Sequence, residues 1–276
     1  MRTIKFAKPP LSAAFSIAMA FFAILPESAF NLARRGIDLP SDCAVTAGRI
    51  TFILLISILA VVAYVLFLWR RKSIILDDGE SVIEVKYGDL LEEKGCHRVI
   101  SFDECYTTRV GSNPEDIKPT SICGQYLSAN SDLDIGDLVN HSGLVPESMP
   151  SRYAERLCYA PGSVVSAGDD LLVAFARLNE DGRAEFTKRT EYLDCLTRLW
   201  GEIYKHCDQR DVAIPILGSG QTSFSGGTGK PLTQQELLNM IIWSYKLSAN
   251  KIKRPQKLRI VCRRQDGFSL NKVDRL

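Results

Sequence analysis

Leu171-Leu172-Val173-Ala174-Phe175-Ala176 is the stretch that decides the fold. Six apolar residues in an unbroken run read as a strand buried on both faces, the kind found between helices in an α/β sheet. Asp181-Gly182 then marks a turn before a short strand around Ala184 to Thr187. From Thr190 to Cys207 the apolar residues fall at Leu193, Leu196, Leu199, Trp200, Ile203 and Tyr204. Those spacings of three and four predict one face of a helix. Val212 to Leu217 is a second buried strand, running into Gly218-Ser219-Gly220 and a polar loop that ends at Pro231. Thr233 and Glu236 form a T-x-x-E capping box, which opens a helix through Leu237, Leu238, Ile241, Ile242 and Tyr245. Lys257 to Cys262 closes the array as a strand. A β-α-β-α-β order predicts a parallel or mixed sheet with helices on its faces. In such sheets ligands bind beyond the carboxyl ends of the strands.

Upstream, Ser163 to Ser166, Arg98 to Phe102 and Ser81 to Tyr87 read as further strands. Gly88-Asp89-Leu90 follows the earliest of these, and Asp103-Glu104 follows the strand that ends at Phe102. Between Arg109 and Arg152 lies a long, weakly patterned stretch rich in Gly, Pro, Ser, Asn and Asp, which predicts an irregular segment that is either functional or partly disordered.

The amino-terminal part is of another kind. Ile50 to Trp69 is an uncharged run closed at once by Arg70-Arg71-Lys72, and its length suits a helix crossing a bilayer. The positive-inside rule puts those basic residues, and everything after them, in the cytoplasm. An earlier apolar stretch, Leu11 to Leu25, is bracketed by Pro9-Pro10 and Pro26. It fits a cleaved signal peptide, with a basic start and small residues near Ser28-Ala29, and it also fits a first transmembrane helix. The loop from Glu27 to Arg49 balances Arg34, Arg35 and Arg49 against Glu27, Asp38 and Asp42, while both outer flanks are basic. A hairpin with both ends inside satisfies the charge rule at every boundary, so the expectation is two transmembrane helices, about 9–26 and 50–69, within an amino-terminal region 1–72. The soluble domain is then 73–276, and the localisation is the bacterial inner membrane, multi-pass, with both termini in the cytoplasm. Neither span contains an Asp, Glu, Lys, Arg or His, which speaks against a built-in ion path. Ser12, Ala13, Ala14, Ser16, Ala18 and Ala20 permit close helix packing. Arg70 to Glu80 is too short for a slack tether and reads as a transmitter between the two parts.

Composition narrows the function. Lys plus Arg number 34 against 32 Asp plus Glu, so no nucleic-acid footprint is expected. Seven of the eight cysteines lie in the proposed cytoplasmic domain without a CxxC pair, which suits reduced, buried thiols. Cys96-His97 lacks metal-ligand spacing, so no metal site is expected. His97, His141 and His206 have no triad-like setting, and Cys105 has no identifiable base beside it.

The loop Leu217-Gly218-Ser219-Gly220-Gln221-Thr222-Ser223-Phe224 has the ingredients of a phosphate cradle, with glycines for close approach and hydroxyls as donors. It equally suits a tight turn after a buried strand. A P-loop is excluded, because Gly229-Lys230 is followed by Pro231 and the position five before Gly229 is Phe224.

Taken together with Tyr87-Gly88-Asp89-Leu90, Ser121-Ile122-Cys123-Gly124-Gln125-Tyr126, Asp170 to Phe175, Ile214 to Gly220 and Gln235-Glu236-Leu237-Leu238 with Ile241-Ile242-Trp243-Ser244, that loop resembles the macrodomain. More closely, Ser81 to Val273 resembles the diverged macrodomain of the membrane-anchored ThsA effectors of Thoeris antiphage defence. The resemblance implies a three-layer α/β/α fold with a mixed sheet, here behind an α-helical transmembrane hairpin. It implies a receptor and membrane effector rather than an enzyme. A TIR-domain partner would release an ADP-ribose-type signal, in this branch conjugated to histidine. The macrodomain would bind it, and homo-oligomer assembly would then compromise the membrane. The alternative is a membrane-tethered hydrolase of ADP-ribose linkages.

By the same resemblance Asp89 would accept a hydrogen bond from the adenine amino group, with Leu90 beside it. Gly218, Ser219, Gly220, Gln221 and Thr222 would line the phosphates, and Phe224 would pack near ribose or base. Ser121, Gly124 and Gln125 would form the opposing wall. Typical macrodomains carry Asn-Ala-Ala-Asn where this chain has Phe102-Asp103-Glu104-Cys105. Asp103 and Glu104 are therefore expected to meet a cationic or imidazole group on the ligand.

Overall fold

The structure, a computed structural model, describes residues 2–30, 41–77, 79, 81–220, 222–224, 232–248, 257–264 and 268–275. The chain divides into two compact units, Met1–Arg71 and Lys72–Leu276.

In the first unit α1 (Arg2–Ile24) and α2 (Ser41–Arg70) flank a short 3-10 turn, Glu27–Phe30. The helices differ from expectation at their ends: α1 starts before Pro9, and α2 starts well before Ile50. Of the six small residues expected to permit close packing, Ala14 and Ala18 are buried, one turn apart, while Ser12, Ala13, Ser16 and Ala20 are exposed. On α2, Ala44 and Gly48 are also one turn apart. Ala44 is fully buried, and a Cβ on Gly48 would collide with the carbonyl of Phe30. Small residues at such spacing let helix backbones approach closely. Phe21, Phe22, Phe30 and Phe52 meet mostly edge to face at 5.1–5.9 Å. The Arg49 guanidinium lies over the rings of Phe22 and Phe30 at 5.8 and 6.0 Å. Among the described residues one helix, Cys43–Arg70, is long and apolar enough to cross a membrane, and Ser12–Ile24 is a shorter apolar helix.

The second unit is built on a mixed sheet. In the order of hydrogen bonding, β1 (Ser73–Asp77), β2 (Val82–Tyr87), β9 (Leu258–Cys262), β7 (Asp211–Pro215), β3 (Cys96–Asp103) and β5 (Asp170–Leu178) lie side by side. The pairs β2–β9, β9–β7, β7–β3 and β3–β5 are all parallel, so these five strands end at one edge. The antiparallel members are outside: β1 on β2, and both β4 (Val164–Ala167) and β6 (Ala184–Phe186) on β5. A two-residue strand β8, Ser223–Phe224, pairs with β6. The second unit begins at the carboxyl end of β2, where Tyr87 N–H donates to the carbonyl of Lys72 at 3.0 Å.

The apolar run in β5 divides as a strand buried on both faces must. Leu171, Val173 and Phe175 join a core with α5 (Arg189–His206) and α6 (Gln234–Ser248). Leu172 and Ala174 join a second core with α3 (Ile122–Ala129) and α4 (Ile135–His141). Helices on both faces make the expected three layers. The capping box is present: Thr233 N–H and Oγ1 both reach Glu236 Oε2, and Glu236 N–H returns to Thr233 Oγ1 at 3.2 Å.

Three expectations are corrected. The stretch Arg109–Arg152 is not simply irregular, since it holds α3 and α4. Each is capped by a side chain, Ser121 Oγ accepting from Gly124 N–H and Asp134 Oδ1 from Asp137 N–H. They bury Cys123 with Tyr126, and Ile135 with Val139. Strand β1, unforeseen, forms directly after the basic residues and buries Ile74. The strand expected over Val212 to Leu217 stops at Pro215, because Ile216 and Leu217 already turn toward Gly218.

Candidate ligand site at the strand ends

The ends of β2, β9, β3 and β7 bring together most of the residues singled out from the sequence, but in two different conditions. Over β2 and β9 the site is open. Asp89 caps a 3-10 turn, Leu90–Glu92, by accepting from Leu91 N–H at 3.0 Å. Its second oxygen lies 4.0 Å from Arg263. Both side chains stay more than a third exposed. Leu90 departs from expectation: it is buried in the second core, with α3 and α4, and offers no side chain to a ligand.

Arg263 follows β9 directly and was not anticipated. One of its terminal nitrogens donates to the carbonyl of Thr120 at 3.0 Å, and the other reaches Gln125 Oε1 at 3.4 Å. Gln125 Nε2 itself donates to the Thr120 carbonyl at 2.9 Å. The start of α3 is thereby tied to the end of β9. Ser121 spends its hydroxyl locally, donating to the Lys118 carbonyl and capping Gly124. Gly124 must be glycine, because a Cβ there would collide with the carbonyl of Lys118. Arg264 lies over the Tyr87 ring at 5.1 Å, and that ring meets Phe268 edge to face. The only sequence signal for this pair was its place, two arginines immediately after the last strand.

Over β3 and β5 the site is closed. Asp103 Oδ1 accepts from Cys105 N–H (2.8 Å) and Thr107 N–H (3.2 Å), bracing a turn in the manner of an Asx motif. Glu104 does not face the ligand edge as expected. It is 1% exposed, and its carboxylate accepts from Leu178 N–H at 3.0 Å, from Ser151 Oγ, and from Arg177 at 3.3 Å. Arg177 also grips Glu147 with two donors at 2.9 and 3.1 Å, and these bonds hold its own ionisation above the usual range. The network pins the segment around residues 147–151 across the strand ends. Tyr106 completes it with φ at 50°, a left-handed conformation that its buried hydroxyl holds through the carbonyls of Ser163 and Leu172. Burial, with the Asp103 charge second, pushes the Cys105 thiol up to about 12.

The loop after β7 is mixed. Gly218 has φ at +82°, and a Cβ there would come within 3.3 Å of the Phe224 ring, so both conformation and space require glycine. Ser219 N–H donates back to the Ile216 carbonyl at 3.1 Å. Gly220 borders open space, and Thr222 is half-buried. Gln221 lies outside the described residues. Phe224 is spent on the core, stacked on Phe186 at 5.6 Å and edge to face with Tyr192. Among the described residues no His, Cys, Asp and Glu cluster could hold a metal ion.

A three-layer sheet whose parallel strands end in an open acidic and guanidinium mouth, with a glycine turn beside it, has the form of a macrodomain. The family described as Thoeris protein ThsA, Macro domain, matches residues 83–263, and the chain belongs to that family. It is 29% identical over 246 residues to the Thoeris protein ThsA of Bacillus amyloliquefaciens (strain Y2), covering 85% of this chain and 80% of that one. A structure of the Oceanobacillus iheyensis macrodomain with ADP is similar with a TM-score of 0.42 at 11% identity, over 70% of this chain and 89% of that one. The macrodomain of Thermus aquaticus DarG gives 0.34 at 15% identity, over 65% and 97%.

Proposed function

We propose that this protein is the receptor-effector of a Thoeris-type antiphage system, one that binds its signal without consuming it. The signal is an ADP-ribose derivative, histidine-ADP-ribose in the fullest form of the reading, made by a TIR-domain partner enzyme. Binding drives homo-oligomer assembly, and the amino-terminal helices, as a transmembrane hairpin in the bacterial inner membrane, then compromise that membrane. Both termini and the macrodomain face the cytoplasm, as Arg70, Arg71 and Lys72 suggest.

The observation that carries a receptor over a hydrolase is the state of the carboxylates after β3. Hydrolysis requires a group free to activate water within reach of the scissile bond. Glu104 is buried and fully engaged, Asp103 braces backbone amides, and the Cys105 thiol is held protonated. The open Asp89 and Arg263 pair, by contrast, has the polar reach that a base needs for recognition. Asp89 and the Gly218 to Thr222 turn are assigned to base and phosphates, Ser121, Gly124 and Gln125 to the wall of the cleft, and Asp103 to the imidazole of the conjugate. Phe224 supports the turn from beneath.

Titrating the full-length protein in nanodiscs with ADP-ribose and with its histidine conjugate tests this, with product analysis of the same samples. The expected result is tight binding, tighter for the conjugate, with both ligands recovered intact. Release of free histidine and ADP-ribose from the conjugate would replace the receptor with an enzyme.

A further inference from the structure

We infer that the outward face of α6 is a membrane-docking surface, on which Met240, Trp243, Lys246 and Leu247 rest against an anionic lipid headgroup layer. The inference rests on the reading above that the amino-terminal helices hold this chain in a bilayer. One face of α6 is spent on the core: Leu237, Leu238, Ile241, Ile242 and Tyr245 are all buried. The opposite face of such a helix is ordinarily charged or polar. Here it is not. Trp243 is 48% exposed and Leu247, one turn further on, is 78% exposed. Half-buried Met240, three residues before Trp243, extends the row. The neighbouring helix α5 shows the ordinary case, exposing Asp194, Thr197, Arg198 and Lys205 between and beside Leu193 and Tyr204.

Charge identifies what covers the row. Lys246 lies over the Trp243 ring at 5.9 Å, so cation and indole are presented together. The sequence 246–257 holds Lys246, Lys251, Lys253, Arg254 and Lys257 and no Asp or Glu. Of these, Lys251, Lys253 and Arg254 lie outside the described residues and enter as charge alone. The acid within α6, Glu236, is in the first turn and bonded to Thr233. A second copy turned onto this face would set cation against cation, whereas anionic headgroups complement it. Trp and Leu beside cations are the composition that seats a helix at the headgroup boundary. With Cys43–Arg70 in a bilayer, such a surface is always at hand.

The three tryptophans of the chain make the test. Trp69 belongs to α2, Trp200 is 3% exposed in the core, and Trp243 stands on the docking face. Full-length protein is placed in nanodiscs of phosphatidylglycerol and brominated phosphatidylcholine, whose acyl bromines quench nearby indoles, and compared with discs lacking bromine. In Trp69→Phe the bromolipid should quench Trp243, and adding Trp243→Phe should abolish that loss of emission. Replacing phosphatidylglycerol with neutral lipid, or introducing Lys246→Glu with Leu247→Glu, should restore most of the Trp243 emission. In Trp243→Phe the bromolipid should quench Trp69 whatever the headgroup charge. Trp243 open to acrylamide and untouched by bromolipid would overturn the docking surface in favour of a solvated face. Trp243 shielded from both quenchers would overturn it in favour of a protein partner. In either case quenching of Trp69 would leave the membrane anchor standing. An unquenched Trp69 would overturn the anchor and the docking surface with it.

Discussion

Asp89 and Glu104 both stand just past the carboxyl end of a parallel strand, and they have opposite fates. Asp89 is more than a third exposed, bonded to one backbone amide and facing an arginine across 4.0 Å. Glu104 is buried, with its oxygens taken by a backbone amide, a hydroxyl and an arginine. The difference lies in what covers each strand end. Over β3 and β5 the chain segment carrying Glu147 and Ser151 folds back and seals the edge, whereas over β2 and β9 the Arg263 side chain spans the gap to α3. Buried carboxylates contribute order when fully bonded and little chemistry, while half-open ones keep the capacity to exchange partners. The two sides should therefore fail differently when altered.

The largest effect is expected on the closed side. Glu104→Ala leaves Leu178 N–H and Arg177 without their buried partner and should cost roughly 3–5 kcal/mol. The check is a fall of roughly 10 °C in melting temperature for the second unit. Next comes the open side: Asp89→Ala should leave melting within a few degrees, since it removes only a turn cap. The same change should weaken ADP-ribose binding on the order of tenfold or more, the worth of a charge-assisted hydrogen bond, measured by calorimetry. A loss of stability without loss of binding would invert the comparison. Asp103→Asn lies between the two sides. It keeps an oxygen for Cys105 and Thr107 N–H, so ADP-ribose binding should hold while the histidine conjugate loses only about threefold, roughly 0.6 kcal/mol. The smallest effect is expected at Cys105. Burial disfavours its thiolate, and a value of about 12 leaves roughly one part in ten thousand ionised at pH 8. Mass spectrometry after brief iodoacetamide treatment at that pH should find it unmodified, with labelling rising only as the solution is made strongly alkaline.

The sheet was legible because its strands are long apolar runs and its major helices keep one periodicity over several turns. The turn chemistry at Thr233 and Glu236 also read through directly. Helices α3 and α4 were not, because at eight and seven residues they show too little periodicity to stand out from a polar stretch. Strand β1 was hidden for a related reason: three apolar residues after a basic cluster continue the pattern of the preceding helix. At the site, adjacency misled. Leu90 and Glu104 sit next to Asp89 and Asp103 in the chain, but strand and turn geometry send neighbours to opposite sides, one to the edge and one to the core. Arg263 was missed because an arginine in sequence reads as a solvated charge, and only the fold puts it beside Asp89 and Gln125, more than a hundred residues earlier.

The bond from Tyr87 N–H to the Lys72 carbonyl has a mechanical reading. Strand β1 is antiparallel to β2, with Ser73 opposite Lys86 and Asp77 opposite Val82. Tension applied at residue 72 therefore loads this pair as a zipper, one rung at a time, rather than as a seam in shear. The first rung to take the load belongs to Tyr87, two residues from Asp89. Stiffening of the Gly88–Asp89 turn would raise the force needed to open the strand.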